Sequence, residues 1–201
     1  MRWDRLFADL EARFTEIADA EADAELADRE RVAVGGISSM QRLAGSIGAP
    51  VRLQLAGGAV VTGPLRTVGA DWLLVEEGMG RDCLVAWAAV VAVGGLTTVT
   101  GAAATTTAQH LDLRRAVRGL ARDRAPVAIA LTGWAGGTAD PLAPSATTGS
   151  TEVVGTIDRV GADFLEVAVH AAWEPRRPGA VRAVVLIPLR GVVLVRAVPL
   201  G

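Results

Sequence analysis

Apolar and polar residues alternate with a period of two through much of the chain. Val51, Leu53 and Leu55 are separated by Arg52 and Gln54, the spacing of a strand with one face buried. Further apolar runs follow at about 59–68, from Asp71 to about Glu77, around Cys83, Val85 and Trp87, and from Val90 to Val93. Ala56-Gly57-Gly58 and Gly78-Met79-Gly80 separate them as turns. The series then recurs: Val127, Ile129 and Leu131, a run through Ile157, another past Phe164, and final strands at Val184–Leu189 and Val192–Val195. The N-terminal region has a different period. Trp3, Phe7, Leu10, Phe14 and Ile17 lie three and four apart, forming one apolar stripe on a helix. Gly35-Gly36 ends that helix.

The recurrence extends to residue identity. Val68-Gly69-Ala70-Asp71-Trp72-Leu73 returns 92 positions later as Val160-Gly161-Ala162-Asp163-Phe164-Leu165. Gly69 and Asp71, with Gly161 and Asp163, mark hairpin turns: Gly relaxes the limits on φ, and Asp bonds nearby backbone. Pro126 matches Pro50, and Val185, Ile187 and Leu189 match Cys83, Val85 and Trp87. The changing offset places inserted loops at 133–150 and 168–182. A helix precedes each set of strands: a short one through Met40, Leu43 and Ala44, and one with the stripe Leu111, Leu113, Val117 and Leu120. The expected divisions are an N-terminal helix at 1–35, a β unit at 37–96, a linker at 97–108 and a second β unit at 109–199.

A helix followed by five short, bent strands, with Gly63 or Gly155 in the second strand and Asp71 or Asp163 at the second hairpin, resembles the Sm-like fold, a small SH3-like barrel. The resemblance implies an α+β, mainly β protein: two tandem helix-plus-five-strand barrels behind an N-terminal helix. RNA-binding proteins of that fold carry a Met-Asn pair after the hairpin Asp. Leu74-Val75 and Glu166-Val167 stand there instead, and of the later Arg-Gly signature only Arg190-Gly191 is present. The opening Met1–Glu11 and the repeated Val-Gly-Ala-Asp-aromatic also resemble a group of actinobacterial proteins, which implies an organism class and no activity.

Charge and chemistry narrow the function further. The net charge is −2, so the whole chain has no basic footprint. Acids dominate the first 49 residues and Arg the last hundred, and every basic side chain is Arg. The single Cys, Cys83, excludes an intrachain disulfide and a Cys-based zinc site; its apolar neighbours place it in the core. The uncharged run from Cys83 to Leu111 has an apolar part, Cys83 to Leu96, that is shorter than the ~20 apolar residues of a spanning helix. No signal peptide is visible, so a cytoplasmic protein that avoids membranes is expected. His110 and His170 are the only histidines. No catalytic constellation, metal site or cofactor is expected.

Two groups of residues carry the binding candidates. Trp134 and Trp173 fall in the inserted loops, without counterparts, as contacts for a protein partner. Arg114, Arg115, Arg118 and Arg122, with Arg124 beside them and Arg176 and Arg177 further on, form a basic face for phosphate. The sequence reads as a non-enzymatic interaction or scaffold protein with a protein partner of unknown kind, as a monomer or small homo-oligomer. RNA binding on the Arg-rich face of the second unit is the alternative.

Overall fold

In the computed structural model, the alternating stretches and the continuous apolar runs give ten strands among the described residues, and all ten join one antiparallel sheet. The structure describes residues 13, 24, 25, 29, 31–78, 80–101, 110–133, 152–171 and 176–198. Two compact units are present, Met1–Ser39 and Met40–Gly201. In the first, residues 31–35 are helical and Gly36 turns the chain. Arg29 pairs with Glu25 one helical turn earlier, at 2.6 Å. The stripe Trp3, Phe7, Leu10, Phe14 and Ile17 lies outside the described residues.

The remaining elements follow in order: α1 (Ser39–Ala44), β1 (Pro50–Leu55), β2 (Val60–Val68), β3 (Trp72–Glu77), β4 (Arg81–Ala86) and β5 (Val90–Gly94). Then come α2 (Leu113–Asp123), β6 (Pro126–Leu131), β7 (Glu152–Val160), β8 (Phe164–Val169), β9 (Ala183–Pro188) and β10 (Val192–Ala197). One 3-10 turn, Trp87–Ala89, joins β4 to β5, and another, Leu189–Gly191, joins β9 to β10.

The expectation of two tandem helix-plus-five-strand Sm-like or SH3-like barrels is not met. The strand order is β5-β1-β2-β3-β4-β10-β6-β7-β8-β9, an open sheet. Its halves follow the same internal order, but they continue into each other. Leu194, Val195 and Arg196 of β10 pair with Val85, Leu84 and Cys83 of β4. That ladder satisfies the backbone groups along β4, so the sheet extends where a separate barrel would end. The core is continuous as well: one apolar cluster includes Leu53, Leu65 and Val85 from one half and Ile129, Leu165 and Leu194 from the other.

Local sequence explains the bends. A Cβ on Gly63 would lie 1.8 Å from the Glu76 carbonyl oxygen, and one on Gly155 2.2 Å from that of Ala168. Only Gly permits this approach of neighbouring strands. Past each site the register shifts, between Leu65 and Thr67 and between Ile157 and Arg159, as at a β-bulge.

Arg196 clasps the two halves where they meet. Its Nε donates to Glu77 Oε2 at 2.6 Å, and a terminal nitrogen donates to Glu152 Oε1 at 2.5 Å. The bond with Glu77 raises the guanidinium pKa further above its ordinary value, against the opposing effect of burial. Replacing Arg196 with Met should lower the unfolding free energy by about 1–3 kcal/mol, because two partly buried carboxylates lose their shared donor. Urea denaturation measures the difference.

Cys83 lies opposite Arg196 in the ladder and is fully buried, as its apolar surroundings require. Burial pushes the thiol up to about 12, with the Glu77 carboxylate adding to the rise and Arg196 opposing it. In the unfolded chain a thiol ionises near ~8.5. Between those values ionisation favours the unfolded chain. Stability from this group is therefore full below pH ~8.5 and falls as pH approaches 12, by at most ~1.4 kcal/mol per unit. The chain has no Lys or Tyr, whose side chains would otherwise titrate there. Cys83→Val, the residue present at the matching Val185, should flatten the stability profile from pH ~9 to ~11. Denaturant melts across that range test it.

Candidate functional site

The repeated hairpins are built alike. The Gly69 amide donates to the Trp72 carbonyl and the Gly161 amide to that of Phe164, each at 2.8 Å. Trp87 and Leu189, which open the two 3-10 turns, donate their amides to the Asp71 and Asp163 carbonyls at 2.9 and 2.8 Å. The glycine roles expected from sequence need correction. Neither Gly69 nor Gly161 has positive φ. An added Cβ would instead lie 2.2 Å from the Trp72 indole or 2.3 Å from the Phe164 ring. Each Gly makes room for an aromatic ring folded back over its own turn.

The two Asp side chains diverge in use. Asp71 Oδ1 accepts the Leu113 amide at 2.6 Å, and the Trp72 indole Nε1–H donates to the Leu111 carbonyl at 2.8 Å. Asp112 caps α2 by accepting the Arg115 amide at 2.9 Å. Asp71 therefore holds the start of a distant helix, where the sequence suggested a bond within its own turn. Asp163 is exposed, and its carboxylate has no hydrogen-bond partner among the described residues.

Both hairpins open onto one cleft of about 370 Å³, lined by Asp71, Asp112, Arg114, Asp163 and Arg190 together with Ala86, Ala88, Leu113, Ala162, Leu189 and Val192. The structure thus brings together two aspartates that lie 92 positions apart. Asp71 and Asp112 are bonded to amides at the start of α2, and Arg114 Nε donates to the Gly161 carbonyl at 2.8 Å. Asp163 and Arg190 remain as exposed charges without partners among the described residues.

The Arg candidates fall into two groups. Arg114 and Arg118 turn toward the β7–β8 hairpin, where Arg118 donates to the Val160 carbonyl at 3.2 Å. Arg176 makes two 2.6 Å bonds to Asp158 of β7, and that pairing raises its pKa. These three fasten protein to protein. Arg115, Arg122 and Arg177 are exposed, as is Arg124, which ends α2 in the left-handed region at φ 50°. The proposed partner contacts Trp134 and Trp173 lie outside the described residues.

His170, just past the end of β8, is 2% exposed. Its Nδ1 lies 2.8 Å from the Ala171 carbonyl and its Nε2 2.8 Å from Thr156 Oγ1. A carbonyl only accepts, so Nδ1 carries a proton, and in the neutral ring Nε2 accepts from Thr156. No sequence pattern signalled this pair, because Thr156 and His170 meet only through the β7–β8 register.

Among the described residues no group of three or more His, Cys, Asp or Glu side chains is placed to hold a metal ion. No described helix is long and apolar enough to cross a membrane. Comparison of the chain with protein-family models, curated proteins and solved structures gives no match.

The unequal use of the two aspartates is measurable. Asp71→Ala should cost about 1–2 kcal/mol through loss of the bond to α2. Asp163→Ala should stay within about 0.5 kcal/mol of the parent, as an exposed side chain without a partner. Thermal or urea melts of the two variants give the comparison, and equal losses would contradict it.

Proposed function

We propose that the protein is a non-enzymatic interaction or scaffold protein that engages partners along the outer edges of its sheet. One observation carries this reading. The outermost strands, β5 and β9, contain no charged residue, and they present Val91, Val184 and Leu186 at 68%, 61% and 57% exposure. An edge strand offers unpaired N–H and C=O groups to any extended segment, and charge or proline is the usual protection. Here only Pro188 at the end of β9 offers it. Such an edge suits strand addition: backbone bonds supply affinity, and alternate side chains supply selectivity. The cleft supports catalysis less well, because its Asp71 and Asp112 carboxylates are engaged at the start of α2.

The RNA-binding alternative rests on Arg115, Arg122 and Arg177, since Arg114, Arg118 and Arg176 are engaged within the protein. Two experiments separate the readings. Immobilised protein should retain a partner from host extract when Asp163→Asn and Arg190→Gln alter the cleft, and lose it when Leu186→Asp and Val91→Asp alter the edges. Loss through the cleft variants alone would reject edge binding. Fluorescence anisotropy with single-stranded RNA at low salt should show no saturable binding. Binding abolished by Arg115→Glu with Arg122→Glu would establish the alternative.

A further inference from the structure

We propose that the partner of the sheet edges is a second copy of this chain, joined head to tail with β9 of one copy beside β5 of the next in the register already used between β4 and β10. The proposal rests on the reading of the edges as interaction surfaces.

The strand pairings carry the argument. β1 places Arg52, Leu53 and Gln54 opposite Gly94, Val93 and Ala92 of β5. β6 places Ala128, Ile129 and Ala130 opposite Arg196, Val195 and Leu194 of β10. β5 therefore occupies the position in its half that β10 occupies in the other, 102 positions later. The same offset relates β4 to β9: Val75 faces Cys83, and Val167 faces Val185. Each half thus has a strand of the β5/β10 type at one end and of the β4/β9 type at the other. Inside the molecule, β4 and β10 have found each other. Their counterparts β9 and β5 are left as the two outer edges.

Burial supports this pairing. Leu84 and Val193 at the inner joint are 5% and 3% exposed. Their counterparts Leu186 and Val91 at the outer edges are 57% and 68% exposed. The outer strands keep apolar side chains at positions that become buried once such a joint forms. The inner register transferred outward pairs Ile187, Leu186 and Val185 with Ala92, Val93 and Gly94. It stops before Pro188, whose missing N–H is not needed.

The joints differ in charge. Arg196, Glu77 and Glu152 clasp the inner one; Gly94, Val169 and Val60 stand at the matching outer positions. The outer joint is apolar, so added salt does not weaken it. Because the two edges are different surfaces, the contact is heterologous, and it propagates until a ring closes or a filament grows.

Light scattering after size-exclusion chromatography of the full chain tests this. The parent protein should form multiples of its 20.7 kDa mass, in proportions that rise with concentration and do not fall between about 0.1 and 0.5 M NaCl. Leu186→Asp blocks β9, and Val91→Asp blocks β5. Each variant alone should be monomeric, whereas their equimolar mixture should give a dimer and nothing larger, through the one intact edge of each. Circular dichroism and melting confirm that the variants fold, and Leu186→Lys with Val91→Lys repeats the test with the opposite charge. A monomeric parent, a mixture that stays monomeric, assembly lost on adding salt, or a Val91→Asp variant that dimerises alone through β9 would each overturn the proposal. If the parent is monomeric but the edge variants still lose an extract partner, self-pairing fails and edge recognition stands. If neither responds, both fail.

Discussion

The antiparallel ladder between β4 and β10 is the constraint on which the architecture depends. It involves only three residue pairs, yet it joins strands far apart in sequence and turns two five-strand series into one sheet. Apolar side chains alone would not specify it, because Val and Leu recur along most strands. The clasp of Arg196 with Glu77 and Glu152 adds a geometric condition. A one-residue slip in the ladder would separate the guanidinium from its carboxylates and turn each buried side chain to the opposite face. Charge here selects a register, while the energy of the sheet comes mainly from burial.

The cleft follows from the same joint. The Asp71 and Asp163 hairpins belong to different halves, and the join brings both to one cavity. The α2 helix then makes them unequal. Asp71 receives its Leu113 amide, and Trp72 holds the Leu111 carbonyl, whereas Asp163 and Phe164 have no such bonds. A duplicated sequence motif has thus become one structural anchor and one exposed carboxylate.

Much of the local structure was legible in the sequence. The alternation at Val51–Leu55 lies on β1, where burial of one strand face imposes period two, and its recurrence 76 positions later lies on β6, which is buried on both faces from Pro126 to Ile129. Cys83 was placed in the core by its neighbours. Strand order was not legible in this way. A β4 edge that closes a small barrel and one that pairs with β10 have the same alternation, so the resemblance to separate barrels led to the wrong architecture. The site was less legible still. Asp71 signalled a turn, but its bond to Leu113 spans 42 residues and depends on where α2 docks. Gly69 and Gly161 were recognised as special for the wrong reason, since ring packing over a turn leaves no mark in φ preference.

The position of β10 also sets the order in which the sheet can be completed. A strand in the middle of the sheet follows the other nine in sequence. On the ribosome the first half completes its ladders from β1 to β5 while β4 waits with one side unpaired, and the second half cannot cover that side until residues 192–197 emerge. Domains generally fold as units during synthesis, and an unpaired strand edge is exposed to aggregation meanwhile. A ribosome that stalls or terminates shortly before β10 leaves a nascent chain with nearly every strand formed and its central seam open. For this fold, damage to residues 192–197 is damage to the middle of the sheet.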